Sequence, residues 1–145
     1  MSKIIEWKRL NDDAVLPTKG SELAAGYDIR SIDDAVIKPN EIKLISTGLS
    51  VGLPPDMEMQ VRPRSGLAVK HGISIVNAPG TIDPDFLGEI KVILINLGKE
   101  EFIIEKQDRI AQVTFNFIPD VSFVEVTSLK ETDRGEGGFG HTGVK

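Results

Sequence analysis

Turns are the dominant constraint on this chain. Pro39-Asn40, Pro54-Pro55-Asp56, Asn77-Ala78-Pro79-Gly80, Asp83-Pro84-Asp85 and Asn96-Leu97-Gly98 interrupt it so often that no long helix fits between them. What lies between the turns is short and rich in Val and Ile: KIIEW, EIKLIS, LSVGL, MEMQV, ISIVN, EIKVILIN, EFIIE, RIAQVTFNF and VSFVEV. Branched side chains of this kind fit a pleated, half-buried surface. The spacing predicts an all-β barrel or sandwich, because the runs are too close together for crossover helices. One short helix is predicted over Ser65 to His71, SGLAVKH, of at most two turns. At 145 residues and 40% hydrophobic content, the chain has volume for one core and one domain.

In EIKVILIN, Ile90, Val92 and Leu94 point one way while Lys91, Ile93 and Ile95 point the other. Both faces are largely apolar. This suits either a strand covered on both sides within one chain or a strand whose outer face meets another subunit.

Several function classes are excluded early. The sequence has no cysteine, so neither a disulfide scaffold nor a thiolate metal site is available. A net charge of -5 argues against a nucleic acid polymer as partner, which would require a broad basic surface. The first residues lack the apolar stretch of a signal peptide, and no run approaches membrane-spanning length, so the expectation is a cytoplasmic protein with no membrane partner. A small anion remains possible, with local donors from Arg62, Arg64, Arg109 and Arg134.

Five segments carry chemistry beyond scaffold. AAGYDIRS, residues 24 to 31, places a turn glycine, Gly26, just before Asp28. In RPRSGLAVKHGI, residues 62 to 73, Arg64, Ser65 and Gly66 open the helix, where unpaired N–H groups suit a phosphate; Ser65 as an ordinary N-cap is the plainer alternative. NAPGTIDPDFLGEIKV, residues 77 to 92, wraps two tight turns around Asp83; its expected hairpin leaves backbone groups free to read a flat heterocycle, although DPD is also a common turn. DRIAQVTF, residues 108 to 115, sets Gln112 in an apolar strand, where a buried amide must find partners. RGEGGFGHTG, residues 134 to 143, is costly to order, because glycine loses the most backbone entropy, yet it lets the main chain lie close to a ligand while Phe139 offers a stacking face.

In order and content these five segments resemble the five motifs of the trimeric deoxyuridine triphosphatases, the dUTP diphosphatases, from Ala24 to Gly143. The resemblance implies a jelly-roll-type β-barrel of the β-clip, dUTPase-like class with one short helix. It implies a homotrimer with three active sites at subunit interfaces, each drawing residues from more than one chain. Residues 1–133 would form the barrel and residues 134–145 a flexible glycine-rich lid of the same domain. The reaction implied is hydrolysis of dUTP to dUMP and diphosphate, assisted by Mg²⁺, which keeps uracil out of DNA and supplies dUMP for dTMP synthesis.

Carried over residue by residue, the resemblance makes Asp83 the base that orients and deprotonates the attacking water. Arg64, Ser65 and the N–H of Gly66 would hold phosphate oxygens. Asp28 and Gln112 would act around the metal and the phosphates, Asp28 indirectly through water, since Mg²⁺ keeps much of its hydration. Asn77 with the backbone of Gly80, Thr81, Ile82 and Asp83 would read uracil, refusing cytosine by unpaired groups and thymine by shape. Phe86 would pack on the sugar and Lys91 would lie near the base. In the tail, Phe139 would stack on uracil, while Arg134, Gly140, His141 and Thr142 would bind the γ-phosphate.

Two positions depart from the family pattern. Phe86 stands where tyrosine is usual, keeping the ring and losing the hydroxyl, and His141 stands where serine is usual, so that an imidazole would make γ-phosphate affinity depend on pH. His71, at the helix end, suits a structural or capping role. Two rivals stay open: a dCTP deaminase, toward which DPDF pulls, and a nucleotide-sensing module, which has no need of a water-activating carboxylate.

Overall fold

The structure, a computed structural model, describes residues 2–145. Its described residues form twelve strands and one helix, and every strand pair is antiparallel. The largest sheet orders β2 (Thr18–Lys19), β3 (Tyr27–Arg30), β12 (Arg109–Phe117), β7 (Met57–Arg62) and β9 (Gly80–Ile82). A three-stranded sheet sets β10 (Lys91–Asn96) between β5 (Ile42–Ser46) and β8 (Ile73–Ile75). Two pairs complete the set: β1 (Glu6–Arg9) with β6 (Leu49–Gly52), and β4 (Ala35–Ile37) with β11 (Phe102–Ile104).

Burial follows the period of two that strand geometry requires. Met57, Met59 and Val61 of β7 face inward while Glu58 and Gln60 do not. Of these, Met59 and Val61 join Ile29, Ile37, Leu49, Ile73, Ile90, Leu94, Ile104 and Ile110 in one core. Asn96 is fully buried yet satisfied: its Nδ2 donates to the Ile37 and Glu100 carbonyls, both at 2.8 Å, and its Oδ1 accepts from Gly98 N–H at 2.8 Å. One polar side chain thus ties β10, β4 and the loop before β11 together.

The helix α1 spans Ser65–His71, as the sequence predicts. It stops where Gly72 takes a left-handed φ of 69°, its N–H capping the Ala68 and Leu67 carbonyls. A Cβ at Gly72 would meet Gly98 N at 2.6 Å, so the helix end is pressed against the β10–β11 turn. The cap therefore falls to Gly72, and His71 instead packs its ring on Phe102 with centroids 5.1 Å apart.

Some expectations change. VSFVEV forms no strand: Val121, Phe123 and Val124 are exposed, since a strand forms only where an edge accepts it. KIIEW contributes only its end to β1, and the short strands β2, β4 and β9 lie outside the apolar runs. β10 is central in its sheet with Val92 and Leu94, and Ile90 just before it, on the core, while Ile93 and Ile95 on its outer side are only half-buried among the described residues. There Ile93 faces Leu44 and Ile95 faces Ile42 across the ladder, with Leu44 58% and Ile42 56% exposed.

Candidate active site

Three of the five segments meet at one end of the large sheet. Asp28 lies on β3 directly opposite Gln112 on β12, and Gln112 is in turn opposite Arg62 at the end of β7. From there Pro63 leads the chain into α1. Gln112 Nε2 donates to the Pro63 carbonyl at 2.9 Å, so the half-buried amide has a partner and pins the approach to the helix. Gly26 makes this possible, because a Cβ there would collide with Gln112 Oε1. The glycine of the first segment thus serves the glutamine of the fourth.

Asp28 is 16% exposed and is held from two sides. Its Oδ1 lies 3.3 Å from Arg64 Nε and its Oδ2 lies 3.4 Å from Arg109 Nη1. Arg64 Nη1 also donates to the Arg109 carbonyl at 3.2 Å. Two guanidinium groups around one carboxylate leave local charge of +1, in a partly buried place where salt screens less than on an open surface. Of the other arginines named as anion donors, Arg62 is committed to Gln60 Oε1 through Nε and Nη2, at 3.2 and 2.7 Å. In the sequence, Arg109 is only one of several arginines that could donate to an anion. What brings it to Asp28 is a register shift in β12, which no sequence pattern displays.

The N-cap of α1 is Arg64, with extended φ and ψ of -90° and 129° and no side-chain capping bond, so Ser65 is not the cap that the sequence also allowed. Its hydroxyl is left outside the capping scheme. Ala68 N–H makes the first helical bond, to Arg64 O at 3.0 Å, so the first-turn N–H groups of Ser65 and Gly66 have no acceptor within the helix. A Cβ at Gly66 would meet nothing within 4 Å. The fold itself does not require glycine there, whereas a ligand lying on the backbone would.

The third segment is arranged differently from the hairpin that the sequence suggested. β8 pairs with β10 while β9 pairs with β7, so the turn at Asn77, Ala78 and Pro79 carries the chain from one sheet to the other. The peptide bond between Ala78 and Pro79 is cis. As the last strand of its sheet, β9 pairs on one side only and presents the other backbone edge. Asn77 lies beside it, its Nδ2 3.5 Å from where a Cβ on Gly80 would sit. Asp83 follows β9 and is exposed; its carbonyl accepts from Phe86 N–H at 3.1 Å and closes the turn. The Phe86 ring folds over Gly88, where a Cβ would meet its Cζ at 2.7 Å. Lys91 opens β10 and is exposed.

The structure does not bring Asp83 to Arg64 within one chain. Gly80 lies opposite Val61 and Ile82 opposite Met59, so β9 carries Asp83 toward the start of β7 while Arg64 lies beyond its end. Six residues separate the level of Asp83 from Arg64, about 20 Å at roughly 3.3 Å per extended residue. The tail is also apart: Arg134 Nε donates to Gly137 O at 2.7 Å, and among the described residues the hydrogen bonds of 134–143 are local turns. His141 lies over Gly137, and Phe139 is fully exposed. Gly140 and Gly143 hold φ of 75° and 76°, the left-handed values for which glycine is suited.

Residues 12–143 match the dUTPase family model. The chain belongs to the dUTPase family. The deoxyuridine 5'-triphosphate nucleotidohydrolase of Clostridium kluyveri is 54% identical over 137 residues, covering 94% of this chain and 96% of that one. The dUTPase of Staphylococcus bacteriophage 80alpha, solved with dUPNHPP, has a TM-score of 0.91 and 26% identity, covering 99% of this dUTPase family member and all of the phage chain. A variant of the phage phi11 dUTPase of S. aureus, which coordinates a structural Mg(II) ion, has a TM-score of 0.82 at 21% identity, covering 89% of this chain and all of its own. The fold is therefore the dUTPase jelly roll, and the enzyme family is that of the diphosphatases rather than the deaminases toward which DPDF pulled.

Proposed function

We infer that the cluster around Asp28 is the phosphate end, and the free edge of β9 the base end, of a site that hydrolyses dUTP to dUMP and diphosphate. The observation that carries this reading is the convergence of Asp28, Arg64 and Gln112, far apart in sequence, on one patch beside the uncommitted first turn of α1. Arg64 and the N–H groups of Ser65 and Gly66 stabilise charge as the anhydride breaks. Asp83 orients the water for in-line attack on the α-phosphorus and takes its proton. Asn77 and the backbone of residues 80–83 accept uracil, with Phe86 against the sugar and Lys91 near the base.

The donors suit a hydrated Mg²⁺ that arrives on the triphosphate. Among the described residues no group of three His, Cys, Asp or Glu side chains is placed to cage a metal, and Asp28 is a single carboxylate between two cations, fit to act through water. When bound, the ion supplies positive charge to the phosphate oxygens. Gln112, its amide held by the Pro63 carbonyl, stands opposite Asp28 in the β12–β3 ladder.

The working unit is a homotrimer. The separation of Asp83 from Arg64 supports sites built from more than one chain, since both must lie within reach of one triphosphate. The outer apolar face of β5 and β10 and the exposed Val121, Phe123 and Val124 support it also, as surfaces that a second copy would cover. Residues 1–133 act as the barrel and residues 134–145 as its lid, with Phe139 on uracil and Arg134, Gly140, His141 and Thr142 on the γ-phosphate. No described helix is long and apolar enough to cross a membrane, and the reaction belongs where deoxynucleotides are used, in the cytoplasm.

The test is diphosphate release from dUTP, dTTP, dCTP and UTP, with and without Mg²⁺. Release confined to dUTP and strengthened by Mg²⁺ is expected. Conversion of dCTP to a uracil nucleotide, or an untouched dUTP, would overturn the reading.

A further inference from the structure

The register between β12 and β3 slips once. Arg109 lies opposite Arg30, but Ala111 lies opposite Ile29, leaving Ile110 as an extra residue in β12. The alternation breaks at that point: Ile110 and Ala111 are consecutive and both buried, at 1% and 0% exposure. A bulge of this kind bends its strand and redirects the neighbouring side chain. Here that neighbour is Arg109. Its guanidinium reaches Asp28 Oδ2, and its carbonyl accepts from Arg64 Nη1.

We propose that Arg109 is a positioning residue, delivered by the β12 bulge, which fixes both members of the Asp28–Arg64 pair before a nucleotide arrives. The proposal rests on the diphosphatase reading of that pair. Without Arg109, the second oxygen of Asp28 has no cation beside it among the described residues, and the carboxylate is free to draw in the Arg64 guanidinium as a two-pronged pair. The fork would then face Asp28 instead of a phosphate. An arginine suits this task because it is charged at all working pH values and its fork is planar and stiff. The Arg109 side chain is 45% exposed, so it holds little of the core.

Arg109→Gln, Arg109→Lys, Asp28→Asn and the double variant Asp28→Asn/Arg109→Gln are compared with the unaltered full chain. The readouts are dUTP turnover with Mg²⁺, and affinity for a non-hydrolysable imido analogue of dUTP by calorimetry without metal. Arg109→Gln is expected to lower turnover roughly 10- to 100-fold, the range typical of residues that orient a functional group from behind. Arg109→Lys should recover part of this. In the Asp28→Asn background the same substitution should change turnover and analogue affinity by less than about twofold, because its only route of action is gone. Full, additive losses in that background would make Arg109 a direct ligand and overturn the proposal, as would an Arg109→Gln enzyme equal to the unaltered one. If the Gln variant does not fold, Arg109→Lys in the two backgrounds reads the same coupling. If the unaltered chain leaves dUTP intact, the diphosphatase reading fails, while the analogue affinities still decide whether Arg109 acts through Asp28.

Discussion

Gly26 and Gly66 are glycines for opposite reasons. At Gly26 the fold supplies the reason, since a methyl group would strike the Gln112 amide and push it off the Pro63 carbonyl. Gly26→Ala should cost about 1–3 kcal/mol, in the range of overpacked sites, and lower activity with it. At Gly66 the space is empty. Gly66→Ala should leave stability unchanged or raise it by up to about 1 kcal/mol, as alanine does in a helix, while weakening dUTP binding because the methyl group takes the place of a phosphate oxygen. Urea denaturation alongside nucleotide titration checks both variants; loss of stability at Gly66 with binding intact would reverse the assignment. At Asp83, Asn should retain nucleotide affinity and lose about 10²- to 10⁴-fold in turnover, the usual worth of a positioned base. Loss of binding instead would make Asp83 a structural turn residue.

At the scale of elements, α1 and the glycine tail contrast in what holds them. The helix is legible to the residue because its end signal, Gly72, is local, and the β10–β11 turn then holds that end in place. Among the described residues the tail makes only short-range turns, and ordering some ten residues costs about 1–2 kcal/mol of backbone entropy each. Contacts with a nucleotide are what can offset that. A chain ending at Asp133 should keep its melting temperature and oligomeric state but lose most dUTP turnover, since nothing closes over the site. Retained turnover with the assembly intact would remove the lid from the mechanism. The β12 bulge belongs at this scale too: it changes the direction of one arginine while leaving the strand in its sheet.

At the scale of the whole molecule, β7 and β9 carry Arg64 and Asp83 in opposite directions, so the proposed site would draw these two residues from different copies. Mixed trimers test this directly. Asp83→Asn and Arg64→Gln variants, each nearly inactive alone, should recover roughly a quarter of the normal sites when unfolded together and refolded, by random assortment in a closed ring. No recovery would mean that each chain completes its own site. The sequence alone carried the strand-rich class, the helix, and the five segments with their chemistry, because turn residues, branched side chains and local motifs act over a few neighbours. It did not carry the failure of VSFVEV to form a strand, the sheet-changing turn at Asn77, or the meeting of Arg109 with Asp28. Those depend on which edges are free and which register two distant strands adopt, and such pairings are decided only when the whole barrel closes around its core.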